Sequence, residues 1–336
     1  MQEVHIDSSS QRKDDHITLA QKSLIKTSML DQRFFYEPML SAHPQAKLSG
    51  QTIFGKTVMA PFWISSMTGG SDRAHGLNRV LAKMANKYKI GMGLGSCRCL
   101  IDNSERFDDF NLRGILGDDL PFFANIGIAQ LEEINLNQDK RNFFLSQIRN
   151  LGVDGLIIHV NPLQEWLQPE GDRFSLSPVK SISNFIEHCS EIKIIVKEVG
   201  QGFGPRSMKE ILRLPIAGIE FASFGGTNFS RLEMLRGDKK AHQSSLAFVG
   251  HSVEEMIGFF NSCDSSGVDV ILSGGVTNFL DGYYYQQLIN ANSVIGMAGE
   301  VLKYALQGEI ALDDFIAHQV EGYKFASQFL TTKGIK

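Results

Sequence analysis

From Thr57 onward one pattern repeats along the chain. A short apolar run rich in β-formers ends in a polar or glycine-rich cluster, and a stretch with helical apolar spacing follows. The runs are Val58–Ser65, Ile90–Leu94, Pro121–Ile126, Gly155–Val160, Ile192–Val196, Ala217–Ala222, Val268–Leu272 and Ser293–Met297. Helical spacing is clearest over Leu77–Lys89, Asp139–Leu151, Val179–Cys189, Ser207–Leu214, Val253–Cys263 and Asp281–Ile289. Residues 103–118 mix glycine with charge and give the weakest helical signal. Strands alternating with helices imply a parallel sheet, and eight such units close into a (β/α)8 TIM barrel. Residues 57–336 are therefore read as the barrel. Residues 1–56 are read as an N-terminal extension: a helix over Ile17–Met29, then a hairpin across the barrel floor.

One connection, Phe224 to His251, is long and polar and contains Gly237-Asp238-Lys239-Lys240. A connection of that length in a compact domain suggests a lid over an active site, with a disordered insertion as the alternative.

Composition narrows the function classes. The 336 residues carry a net charge of −4 with no basic stripe, which argues against nucleic acid as a partner. No apolar run approaches the roughly 20 residues needed to span a bilayer, and the N-terminus lacks a signal-peptide core, so no membrane association is expected. Four cysteines without paired spacing suggest neither a zinc site nor a disulfide framework, and a cytoplasmic location is expected. Gly50–Thr57 matches the nucleotide P-loop letter for letter, but the strand-like Val58–Ile64 follows where that loop needs a helix.

Active sites of such barrels lie at the C-terminal ends of the strands. There the chain presents Met67-Thr68-Gly69-Gly70, Gly95-Ser96, Asn125, His159 with Asn161, Lys197, Gly225-Gly226-Thr227-Asn228, Gly274-Gly275 and Ala298-Gly299. Small or hydrogen-bonding residues at all eight tips point to one polar ligand lying across the mouth. The glycines after runs seven and eight suit a phosphate. Lys197 ends an apolar strand and needs an anionic partner there. A flavin ring offers one. Glu198 does not, because adjacent strand residues point to opposite faces. Glu165, beside Gln164 on the loop after run four, suits a Mg²⁺ that keeps waters and substrate phosphates. Arg12 and Lys13, near a helix start, are candidate diphosphate ligands, as is Arg98.

These residues resemble the type 2 isopentenyl-diphosphate isomerases. The matching motifs are Arg12-Lys13-x-x-His16, Met67-Thr68-Gly69-Gly70, Gly95-Ser96-x-Arg98, Asn125, His159-x-Asn161-Pro-Leu-Gln164-Glu165, Lys197-Glu-Val-Gly200, Gly225-Gly226-Thr227-Asn228 and Ser273-Gly274-Gly275. They run in order over nearly the whole chain. The resemblance implies an FMN-binding barrel that needs Mg²⁺, uses NADPH to reduce the flavin, and interconverts isopentenyl and dimethylallyl diphosphate. It assigns FMN to Met67, Thr68, Gly69, Ser96, Asn125, Lys197, Thr227, Gly274, Gly275, Ala298 and Gly299. It assigns the substrate diphosphate to Arg12, Lys13 and Arg98, substrate contact to Gln164, and the metal to Glu165. Lys197, His159 and Gln164 are the expected catalytic residues, with reduced FMN as the acid and base. Assembly as a homotetramer or homo-octamer is expected on the same ground. Thr277-Asn278-Phe279 and Glu300 depart from the family pattern at the phosphate end. The alternative is an FMN-dependent oxidoreductase of the 2-hydroxy-acid oxidase type. That chemistry needs a His base and an Arg near the seventh unit, and neither occurs between Val268 and Asp281.

Overall fold

The computed structural model describes residues 8–45, 48–236 and 241–334. Eight parallel strands close into a barrel: β1 (Phe62–Ile64), β2 (Gly91–Gly93), β3 (Phe122–Gly127), β4 (Gly155–His159), β5 (Lys193–Lys197), β6 (Gly218–Glu220), β7 (Asp269–Leu272) and β8 (Ser293–Met297). Each pairs with its sequence neighbours, and β8 closes on β1 through Ile295–Phe62 and Met297–Ile64. All eight expected runs are strands of this barrel, so the (β/α)8 reading stands.

The six helices read from apolar spacing are present, at Asp72–Tyr88, Gln138–Asn150, Pro178–His188, Pro205–Ile211, Val253–Asn261 and Phe279–Leu288. Five of them start at side chains that satisfy free backbone N–H groups, and Pro205–Ile211 starts instead at a proline after Gly204. Ser71, Asn137, Ser177 and Asn278 each accept from the first turn, and Ser252 with Glu255 forms a capping box. Over 103–118 the chain makes only a 3-10 turn at Phe107–Asp109 and a single helical turn at Arg113–Leu116.

The barrel floor is plugged by a hairpin, Gln51–Ile53 with Lys56–Val58. Phe54 and Gly55 at its tip both have positive φ, 51° and 84°, the geometry of a two-residue hairpin turn. Phe54 accepts the cost because its ring is buried at 5.6 Å from Trp63 and 5.2 Å from Phe123. With Ile53, Val58, Ile157, Ile195, Ile271 and Val294 these residues fill the barrel's lower interior. Polar ties hold the plug. Asp269 accepts from Phe54 N at 2.6 Å, and Lys193 Nζ donates to Phe54 O at 2.7 Å. This geometry also disposes of the P-loop match, since Gly50–Thr57 is the hairpin itself.

The N-terminal helix differs from expectation. It spans Ser8–Leu19, with a separate 3-10 turn at Thr27–Met29. Ile17, Leu24, Ile25 and Met29 are exposed. Without a buried face to pack, nothing extends the helix through 20–26. The chain returns to the fold at Phe34–Tyr36, which pairs antiparallel with Leu330–Thr332.

The long connection is largely helical rather than an open flap. Phe229–Arg236 is a helix and Ala241–Phe248 a 3-10 segment, pinned by Asn228 Nδ2 donating to Ala247 O at 2.9 Å. Gly237–Lys240 lies outside the described residues.

Candidate active site

A cavity of about 440 Å³ opens at the C-terminal ends of the strands. Its wall includes Met67, Lys197, Thr227, Gly274, Gly275, Ala298 and Gly299, seven of the residues singled out from sequence.

The glycine side is built by close backbone approach. Gly274 has φ +90°, and a Cβ there would sit 2.1 Å from Ser223 N. Gly275 has φ +77°, and a Cβ there would lie 3.2 Å from Gly225 Cα. The loops after β6 and β7 thus meet glycine to glycine, leaving backbone rather than side chains facing the cavity.

Strand register sets the opposite side. His159 on β4 pairs with Lys197 on β5, which pairs with Glu220 on β6. Lys197 is only 6% exposed. Among the described residues no carboxylate lies within salt-bridge distance of its ammonium. A buried cation without a partner favours an anionic ligand. Burial, then the charge of Lys197, pushes the His159 imidazole down to about 3. The ring is therefore neutral near pH 7. Its Nδ1 stands 2.6 Å from Asn125 Oδ1. That bond assigns the proton to Nδ1, so Nε2 is the acceptor.

The loop after β4 forms a second polar cluster. Asn161 Nδ2 donates to Gln164 Oε1 at 3.1 Å and to Glu165 Oε1 at 2.9 Å. Glu165 Oε2 accepts from Asp172 N at 2.7 Å. Asp172 also accepts from Arg98 Nη1 at 2.9 Å and from Gln130 Nε2 at 2.7 Å. Arg98 is thereby tied to the loop that carries Glu165. Gln164 Nε2 reaches Glu233 Oε1 at 3.4 Å. Among the described residues no three His, Cys, Asp or Glu side chains cluster as a metal cage.

Thr68 donates to Asn78, and its carbonyl accepts from Gly95 N at 3.1 Å, which joins the tips of β1 and β2. A Cβ on Gly69 would lie 3.3 Å from Ser96 O. Arg12 and Lys13 stand apart, exposed on the N-terminal helix and off the cavity wall.

Sequence reading missed Glu220, Ser65 and Ser66. Their side-chain atoms Glu220 Oε2, Ser65 Oγ and Ser66 Oγ are buried, lack a hydrogen-bond partner and belong to cavity-lining residues. The signal for Glu220 was present: a carboxylate inside the apolar run Ala217–Ala222 is as anomalous as Lys197. Glu233 carried no comparable signal, because it lies on a polar connection.

Fold and mouth together define the class: a (β/α)8 barrel whose polar groups and glycine loops converge at the C-terminal ends of its strands. Solved barrels of similar shape include a mandelate oxidase carrying an FMN adduct, at 13% identity and TM-score 0.56 over 90% of this chain and 88% of that one. A flavocytochrome b2 with sulfite bound aligns at 13% identity and TM-score 0.58, over 88% of this chain and 71% of that one. At such identities the likeness is one of fold. No family model matches the sequence. Curated relatives go further. The isopentenyl-diphosphate delta-isomerase of Rickettsia typhi is 30% identical over 321 residues, 94% of this chain and 91% of that protein. That of Rickettsia africae is 31% identical over 320 residues, with the same coverage. The chain belongs to the isopentenyl-diphosphate delta-isomerase family.

Proposed function

We propose that the protein interconverts isopentenyl and dimethylallyl diphosphate with FMN in the barrel mouth. The observation that carries this reading is the pairing of an unpartnered buried ammonium, Lys197, with a glycine-lined pocket across the same mouth. FMN has a phosphate for one end and, for the other, a ring edge that carries negative charge when the flavin is reduced. The orphaned polar atoms of Ser65, Ser66 and Glu220 fit its polar middle.

In this reading Gly274, Gly275, Ala298, Gly299 and Thr227 hold the phosphate. Met67, Thr68, Gly69, Ser96 and Asn125 border the ring, and Lys197 offsets negative charge at its edge. Bound and reduced, the flavin would supply the acid and base that the isomerisation needs. The double bond shifts when a proton is added at C4 and another is lost from C2. Protonating an unactivated alkene develops tertiary cation character, so the chain must keep water out. The half-buried neutral His159 and the buried Asn125 add no positive charge of their own beside Lys197. Gln164 and Glu165 are held in place by Asn161 and Asp172. Glu165, a single carboxylate, fits a Mg²⁺ that arrives with the substrate diphosphate and retains waters. Arg98, which follows β2 and is tied to this cluster through Asp172, adds a cation, and Arg12 and Lys13 are assigned the far end of the diphosphate.

NADPH would be needed only to reduce the flavin, not once per turnover. The proposal also includes assembly as a homo-oligomer. It includes a cytoplasmic setting, in keeping with four cysteines that form no disulfide. No helix among the described residues is long and apolar enough to cross a membrane.

The test is an anaerobic assay with isopentenyl diphosphate, Mg²⁺ and photoreduced FMN, without NADPH. Sustained formation of dimethylallyl diphosphate is expected. No turnover in that assay would overturn the proposal, and in a parallel aerobic assay with NADPH, consumption of NADPH or O₂ in step with product would favour the oxidase-type alternative.

A further inference from the structure

We infer that Glu220 recognises the polyhydroxylated chain of the flavin, with Ser65 and Ser273 as its partners. The inference rests on the flavin reading above and adds a residue and a specificity to it. Glu220 ends β6, is 1% exposed, and lines the cavity. Ser273 Oγ donates to Glu220 Oε1 at 3.1 Å and accepts from Ala222 N at 3.0 Å. Among the described residues Glu220 Oε2 finds no donor and the nearby Ser65 Oγ finds no partner. The small residue Gly296 keeps this corner open, because a Cβ there would meet Ser65 Oγ at 2.7 Å and Ser273 Cβ at 2.8 Å.

A buried carboxylate oxygen left without a donor is costly, and native proteins rarely keep one unmet. The cavity that Glu220 lines is where a ligand hydroxyl can supply the missing donor. The position of Glu220 says which part of the ligand faces it. Gly274 and Gly275 directly follow Ser273 at the tip of β7, whereas Lys197 is the register partner of Glu220 on β5. Glu220 on β6 thus lies between the phosphate end and the ring edge, where the linking chain must pass. A phosphate would be repelled by the carboxylate. Hydroxyl groups are not: each donates to a carboxylate oxygen and exchanges bonds with serine.

The test compares FMN with an analogue whose ring is linked to its phosphate by an unsubstituted pentyl chain. Dissociation constants for the apoprotein are read from quenching of flavin fluorescence. The wild type should prefer FMN by about 10- to 100-fold, the range for hydrogen bonds to a charged group. Glu220→Gln should shrink that preference to a few-fold, and Ser65→Ala should reduce it by a smaller factor. Circular dichroism checks that each variant folds, and the serine variant carries the test should the glutamine variant not fold. An undiminished preference in every folded variant overturns this assignment and leaves the flavin reading intact. Wild type that takes up neither compound overturns the flavin reading itself, and this inference with it.

Discussion

His159 and Lys197 sit side by side in register, and each changes what the other can be. The imidazole is depressed far below its ordinary value, chiefly by burial and then by the lysine charge. In the unfolded chain a histidine takes up its proton near pH 6.5. Between about 6.5 and about 3, therefore, the unfolded state binds a proton that the folded state refuses. The stability this site contributes is complete above pH 6.5 and is lost as pH falls through that window. Urea unfolding of the apoprotein should show a loss of about 1.4 kcal/mol per pH unit from this group below pH 6. His159→Gln should flatten that slope; an unchanged slope would mean the ring is not held neutral. The glycine loops make a second residue-scale prediction. Gly274→Ala drives a Cβ into Ser223 backbone and should cost more than about 3 kcal/mol. Gly275→Ala meets Gly225 Cα at 3.2 Å and Gly225 C at 3.3 Å, a milder approach, and should cost about 1–2 kcal/mol, mostly backbone strain. Equal losses in chemical denaturation would contradict the close approach seen at Gly274.

Among the elements, the floor hairpin and the mouth are separate problems solved on one set of strands. The lower interior is apolar and closed by Phe54, Trp63 and Phe123; the upper interior is polar and open. Phe54→Ala should lower stability by about 3–5 kcal/mol, the range for deleting a buried aromatic side chain. Flavin affinity of the folded fraction should be unchanged. A parallel loss of affinity would show that floor and mouth are coupled. Most elements were legible because strands and helices announce themselves by period, although apolar spacing alone placed the first barrel helix at Leu77, several residues after the start that Ser71 caps. The expected helix over Ile17–Met29 does not form as one element, because Ile17, Leu24, Ile25 and Met29 stay exposed and no packed face holds it together. The segment 103–118 breaks into short turns for the reason its composition indicates: glycine and charge support neither period.

For the whole molecule, a ligand spanning the strand tips would tie together loops that follow several different strands. Binding to the folded state alone raises the melting temperature with ligand concentration, by about 2.7 kcal/mol of stability at a hundredfold excess over Kd. A concentration-dependent rise with FMN, absent with riboflavin lacking the phosphate, is the expected result in differential scanning fluorimetry. The exposed apolar residues Leu24, Ile25, Met29, Phe35, Tyr36, Met39 and Leu40 form a stretch unusual for a monomer. Sedimentation of the full chain should give a multiple of the 37.3 kDa chain mass, and a purely monomeric species would refute the proposed assembly.

By itself the sequence determined the eightfold alternation, the polar strand tips and the anomaly of Lys197, since each is a matter of order along the chain. Period and residue type are local properties, and they survive without coordinates. Only the tertiary structure decided that Gly225 meets Gly275, that Asp172 joins Arg98 to Glu165, and that Glu220 has an oxygen with no donor. Those facts depend on which loops face each other across the closed barrel, and on what each buried polar atom finds within reach.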